Sequence, residues 1–183
     1  MLWEDEVILP DGGRIYVRIV QPSDRPTFEE GWEHLSSETR LFRFLAPRDH
    51  LSSGDLDYLT DVDGVDHYAI GAVTRDEEGH EGPVAVARFV RLRERTHEAD
   101  FAVTVIDEYQ RRGVGSVMLE RLCIAARKRG IATLRADLLP ENEAAKHLIR
   151  KVVPRSRSRL QGSLVRFEIP LEADEDPIDE ETS

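Results

Sequence analysis

Residues 99–130, ADFAVTVIDEY then QRRGVGS then VMLERLCIAARKRG, decide how the whole chain is read. The opening run is apolar and rich in β-branched residues, which marks a strand. Gln110 to Ser116 holds two glycines and reads as a tight turn. Val114, Met118, Leu119, Leu122, Ala125 and Ala126 then recur at helical spacing, with Gly130 as a stop. A strand therefore feeds a glycine turn that opens directly into a helix.

Such a turn is suited to holding phosphate. Amide N–H groups in the first turn of a helix have no intrahelical partner, and the aligned peptide dipoles place roughly half a positive charge there. Gly113 and Gly115 present no side chain to keep a ligand from the backbone. Arg111, Arg112, Gly113, Val114, Gly115 and Ser116 are accordingly the expected pyrophosphate contacts, with the two arginines adding charge at the mouth. A nucleotide P-loop does not fit, because Ser116 follows Gly115 with no Lys between them. A dinucleotide turn does not fit either: Met118 stands where a third small residue must let helix and strand pack closely. A helix start that merely caps itself is the plain alternative.

The Q-x-x-G-x-G pattern, Gln110 to Gly115 after a strand ending at Val105, closely resembles the acetyl-coenzyme A motif of the GNAT superfamily of N-acetyltransferases. The resemblance implies the GNAT fold, acetyl-CoA as co-substrate, no metal, and direct acetyl transfer to a primary amine. In that superfamily the strand before the turn pairs through its backbone with the pantetheine arm. Carried over, those contacts fall on Val103, Thr104 and Val105. Glu98-Ala-Asp-Phe-Ala-Val is similar to a segment of bacterial Pat-type protein lysine acetyltransferases, in which a Glu at the position of Asp100 is the general base. Ser36-Ser-Glu-Thr-Arg40 also resembles that type. A protein lysine, as on an acyl-CoA synthetase, is then the implied acceptor. The alternatives are a small amine such as a polyamine, and a non-catalytic acyl-CoA sensor.

Residue chemistry alone keeps two readings open at Asp100. Its apolar setting would raise its pKa toward that of a useful base, or it is a strand carboxylate paired with an arginine such as Arg88 or Arg91. Alternation puts Glu98, Asp100, Ala102 and Thr104 on one face and Ala99, Phe101, Val103 and Val105 on the other. Glu98 and Glu108 are reserve carboxylates, and His67 and His97 read as surface or satisfied histidines. Asn142 begins the following helix and either caps it or, as the resemblance implies, bonds the cofactor. Ile149 stands where many superfamily members have a Tyr that protonates the leaving thiolate, and Val153-Pro154 replaces the usual Gly-Phe. Arg155, Arg157 and Arg159 alternate with serines as a basic face.

Size and composition bound the rest. A chain of 183 residues has room for one domain, which leaves no space for a cyclic-nucleotide or amino-acid regulatory domain. No apolar run approaches a membrane span, and the acidic N-terminus lacks a signal peptide's basic start. Cys123 is the single cysteine and lies near the apolar face of a helix, as a packed small hydrophobe would. A cytoplasmic protein, monomer or homodimer, is expected. The net charge of −11 argues against nucleic acid as a partner. Residues 1–170 are read as the domain and 171–183 as an acidic disordered tail, since 172–183 holds seven carboxylates and no Lys or Arg.

In chain order the patterns predict a hairpin-like β start, two helices with a short third, and three strands. A helix to Gly130, a strand from residue 132 to 139, a helix from Asn142 and a closing hairpin from 154 to 169 follow. Sequential strands with short connections predict an α+β fold: a mixed, mostly antiparallel sheet with helices on both faces.

Overall fold

A computed structural model describes residues 4–171. Strands β1 (Glu4–Ile8) and β2 (Arg14–Ile19) form a hairpin, followed by helices α1 (Arg25–Glu33), α2 (Ser37–Phe44) and α3 (Ser53–Thr60). Strands β3 (His67–Arg75), β4 (Glu81–Arg91) and β5 (Glu98–Val105) precede helix α4 (Val114–Arg127). Then come β6 (Thr133–Leu138), α5 (Glu143–Val152), β7 (Arg157–Gln161) and β8 (Leu164–Pro170). One sheet of eight strands results, ordered β1-β2-β3-β4-β5-β6-β8-β7. The α+β reading, mostly antiparallel with helices on both faces, therefore holds.

Two elements end short of their predicted bounds. Helix α4 stops at Arg127, because Arg129 and Gly130 donate to the Ala126 and Arg127 carbonyls in a tightened last turn and Gly130 takes φ +75°. The strand expected from residue 154 begins at Arg157, because Ser156 N–H turns back to the Val153 carbonyl. Pro83 stays in register with Val73, and the neighbouring Val84 is the extra residue of a bulge. The proposed domain reaches Leu171, whose N–H donates to the Ala132 carbonyl; the acidic stretch 172–183 lies outside the described residues. Among those described, no helix is long and apolar enough to cross a membrane.

The main core lies between the sheet and α4. Ala87 and Phe89 of β4 pack there with Met118, Leu119 and Leu122, all essentially without exposed surface. Arg88, between them, points the other way and donates to the Leu59 carbonyl at the end of α3. Helices α1–α3 thus cover the face opposite α4. This pattern follows from the alternation of side chains across a strand.

Candidate functional site

The only parallel contact in the sheet among the described residues, β5 with β6, is short. It covers Glu98↔Thr133, Ala99↔Leu134 and Asp100↔Arg135, and beyond Asp100 the two strands part. β5 meanwhile stays paired with β4 as far as Val105, and β6 with β8 as far as Leu138. A wedge therefore opens in the middle of the sheet, with β5 as one wall.

Backbone phase decides what that wall offers. Glu98 carbonyl accepts from Leu92 and Ile106 N–H donates to Val84, both on the β4 side. Because N–H and C=O of one residue point the same way along a strand, Asp100, Ala102 and Thr104 spend their backbone groups on β4. Phe101, Val103 and Val105 direct theirs into the wedge. Of the three backbone contacts read from the sequence, Val103 and Val105 face the opening; Thr104 does not, and Phe101 joins them. Gln110 Nε2 holds the Val105 carbonyl at 3.1 Å, which leaves its N–H for a ligand.

At the mouth of the wedge α4 begins. Gly113, in a left-handed conformation at φ +88°, precedes it, and no side chain caps the helix. The first intrahelical bond runs from Val117 N–H to the Gly113 carbonyl, so Val114, Gly115 and Ser116 amides have no intrahelical acceptor. That is an uncapped anion cradle. Two expectations change here. Arg112 is not a free cation: its Nε donates to Asp11 Oδ2 at 2.6 Å, and its guanidinium lies 4.4 Å from the Tyr109 ring centre. Gly115 is glycine for a different reason, since a Cβ there would meet Leu148 of α5 at 3.2 Å. Its amide serves the cradle; its missing side chain lets the two helices approach. Arg111 is exposed and itself left-handed at φ 59°, a conformation that costs a non-glycine residue about 1 kcal/mol.

Asp100 sits at the last paired rung, where the wedge starts, on the face away from α4. Its side chain keeps 59% of its surface. Loss of hydration among its neighbours nonetheless raises its carboxyl above the usual range, and the Arg135 guanidinium opposes that rise. Arg135 is the arginine partner, with Nε 3.6 Å from Asp100 Oδ1 and Nη1 3.0 Å from Glu98. Neither Arg88 nor Arg91 plays that part: Arg91 pairs with Asp66 at 2.6 Å and Arg88 reaches α3. With Asp100 acting as a base, replacing Arg135 by Met should move the acid limb of the pH–rate profile to higher pH. At acidic pH the rate should fall about 3- to 10-fold, with the plateau spared. A limb that stays in place would show that Arg135 does not tune Asp100.

Asn142 does what its position at the head of α5 suggests: Oδ1 accepts from Ala145 N–H at 3.1 Å. Its amide group remains for a second bond. Ile149 is 2% exposed and packed in the core. Burial pushes the Cys123 thiol up to about 11, so it is inert. Glu108 is engaged by His34 at 3.0 Å, and His97 by the Gly130 carbonyl at 3.3 Å.

A wedge in a sheet whose strand supplies free amides and whose next helix starts uncapped invites comparison with known acyl carriers. The family model described as acetyltransferase (GNAT) family matches residues 22–153. The chain belongs to the GNAT acetyltransferase family. It is 36% identical over 172 residues, 92% of its length, to Acetyltransferase Pat of Mycolicibacterium smegmatis, and spans 48% of that relative's length. The crystal structure of the GNAT domain of S. lividans PAT superposes with a TM-score of 0.84 at 30% identity, covering 92% of this chain and 97% of that one. A more distant GNAT structure, yncA of Salmonella typhimurium with its cofactor acetyl-CoA, shares the fold at TM-score 0.65 and 18% identity, covering 89% and 96%.

Within this GNAT frame, two residues went unnoticed as site residues. Asp107 Oδ1 accepts from Ser36 N–H at 3.2 Å and Thr39 Oγ1 at 3.0 Å, tying the start of α2 to the end of β5. Gln110 bridges from Thr39 to Val105. Their signal lay in the Ser36-Ser-Glu-Thr-Arg40 and Q-x-x-G-x-G stretches, which read as separate motifs and meet only in space.

Proposed function

We propose that this GNAT chain transfers acetyl from acetyl-CoA directly to a primary amine, a lysine side chain of a protein, within a ternary complex. One observation carries the reading: an accessible carboxylate, Asp100, stands at the point where the wedge opens, on the face opposite the α4 cradle. Diphosphate would lie on the Val114, Gly115 and Ser116 amides, with Arg111 beside it and the Asn142 amide group further along. The acyl arm would run along Phe101, Val103 and Val105, so its thioester ends near Asp100.

Asp100 takes the proton that the incoming ammonium must lose. The amine nitrogen bonds to the thioester carbonyl carbon, the C–S bond breaks with its electron pair leaving on sulfur, and the nitrogen sheds its second proton to solvent. A strand N–H facing the wedge stabilises the developing oxyanion. Asp is one methylene shorter than the Glu of the related type, so a water relays the proton where the reach falls short. With Ile149 in the core, the thiolate departs without a tyrosine donor, which its ordinary pKa of about 8.5 permits. A lysine acceptor is supported by the likeness to Acetyltransferase Pat and by Ser36-Ser-Glu-Thr-Arg40 at the head of α2.

The test is mass-shift mapping with isotopically labelled acetyl-CoA, offering an acyl-CoA synthetase, other bacterial proteins and polyamines side by side. Label on protein lysines is expected. Label confined to polyamines would replace the acceptor, and cofactor binding without any label would make the chain a sensor.

A further inference from the structure

A hollow of about 90 Å³ lies between the sheet and α1–α2, on the Asp100 face. Its lining is mostly apolar, with Phe28, Trp32, Phe44 and Val86 among the contributors. Arg18, Asp24 and Thr27 line one edge, and Arg43 and Thr104 add polar groups elsewhere in the lining. Thr104 lines it with a buried hydroxyl that has no hydrogen-bond partner. Arg43 lines it too, with no hydrogen bond or ion pair among the described residues; the Phe44 ring centre lies 5.0 Å from its guanidinium, and the Arg48 charge is close enough to oppose its own. Arg88 sits just behind, its guanidinium 5.9 Å from the Phe28 ring centre, 3% exposed and with Nε unpartnered.

The charge balance is incomplete. Arg18, at the edge of the same hollow, has two carboxylates, Asp24 at 2.8 Å and Glu81 at 2.5 Å. Arg88 has only neutral acceptors: the Leu59 and Tyr58 carbonyls at 3.0 and 3.5 Å and His67 Nε2 at 3.1 Å. Burial and the nearby Arg43 charge push Arg88 down to about 9, and burial lowers Arg43 as well. Two neighbouring cations without an anion, one of them buried and the other half-buried, are costly. An incoming carboxylate would relieve both and give the Thr104 hydroxyl an acceptor.

We propose that this hollow is a carboxylate subsite of the acceptor pocket, formed by Arg43 and Thr104 with the Arg88 charge behind them. Ala102, opposite Arg88, lies about 7 Å along β5 from Asp100, and Thr104 about 13 Å. The fitting acceptor therefore carries its carboxylate several methylenes from the amine. Such a group arises from a free ω-amino acid or from an acidic side chain beside an acceptor lysine. The amine end rests on the acetyl-transfer reading above; the carboxylate end does not.

Two measurements on the full chain separate these dependencies. In thermal-shift titrations, butanoate should raise the melting temperature while butanamide should not, and Arg43→Met should abolish the difference. In acetyl transfer, 6-aminohexanoate should exceed hexylamine at least tenfold in kcat/KM, and a lysine peptide with a neighbouring Glu should exceed its Gln counterpart if the source is a protein. Arg43→Met should bring each ratio to about twofold or less, whereas Arg43→Lys should keep part of it. Butanoate protection without turnover of any amine would uphold the subsite and sink the transferase reading. Equal shifts by butanoate and butanamide, or a ratio unchanged in Arg43→Met, would overturn the subsite.

Discussion

An Asp100→Asn variant should lose about 10²- to 10³-fold in kcat/KM and still bind coenzyme A as the parent does. Positioned proton transfer contributes on this order, and Asn keeps the shape of Asp while removing the basic oxygen. The wedge amides and the cradle are untouched, because Asp100 spends its backbone on β4. Stability supplies an independent check. The folded-state pKa of Asp100 is raised by lost hydration, so ionising it weakens the folded state. The stabilising contribution of its protonated form is present below the unfolded pKa and disappears as pH rises through the folded one. At neutral pH the Asn variant should therefore melt no lower than the parent. Calorimetry, circular dichroism and steady-state rates decide the matter together. Unchanged turnover with intact cofactor binding would remove Asp100 as the base.

Gly113→Val should weaken coenzyme A binding by at least tenfold. At φ +88° a side chain is strained wherever there is room for it, and a β-branched one more so. The penalty is about 1–2 kcal/mol for an L-residue held there, and the turn escapes it by rotating away. Val114, Gly115 and Ser116 amides then no longer converge on one point. The added Cβ itself is not the obstacle, since it would meet Pro10 at an ordinary 3.6 Å. Gly115→Ala makes the contrasting control: its Cβ would crowd Leu148 at 3.2 Å, so it should lower melting temperature more than affinity. Isothermal titration with coenzyme A would read both. Wild-type affinity in Gly113→Val would show that the cradle does not hold the diphosphate.

Much of the site is written locally. A β-branched run, two glycines and a 3.6-residue period sufficed to place strand, turn and helix, because each depends on neighbours within a few positions. The same holds for Asn142 as a cap and for Asp100 on the even face of β5. The resemblance to GNAT enzymes rested on these short-range features, which is why the family match covers them.

What stayed hidden depends on register and distance. Whether Val103 or Thr104 shows its amide to the wedge follows from the phase of pairing with β4, and a shift of one residue would exchange them. Arg112 meets Asp11 across 101 positions, and Gly115 is shaped by Leu148 on another helix. Arg135 reaches Asp100 because β6 runs parallel beside β5 for three rungs before leaving it. Sequence alone determined that a helix opens from a glycine turn after a strand bearing two carboxylates, Glu98 and Asp100. Tertiary structure decided which amides are free, which cations are already neutralised and where Arg88 lies buried beside Arg43 without an anion, because those are properties of packed neighbours, not of adjacent residues.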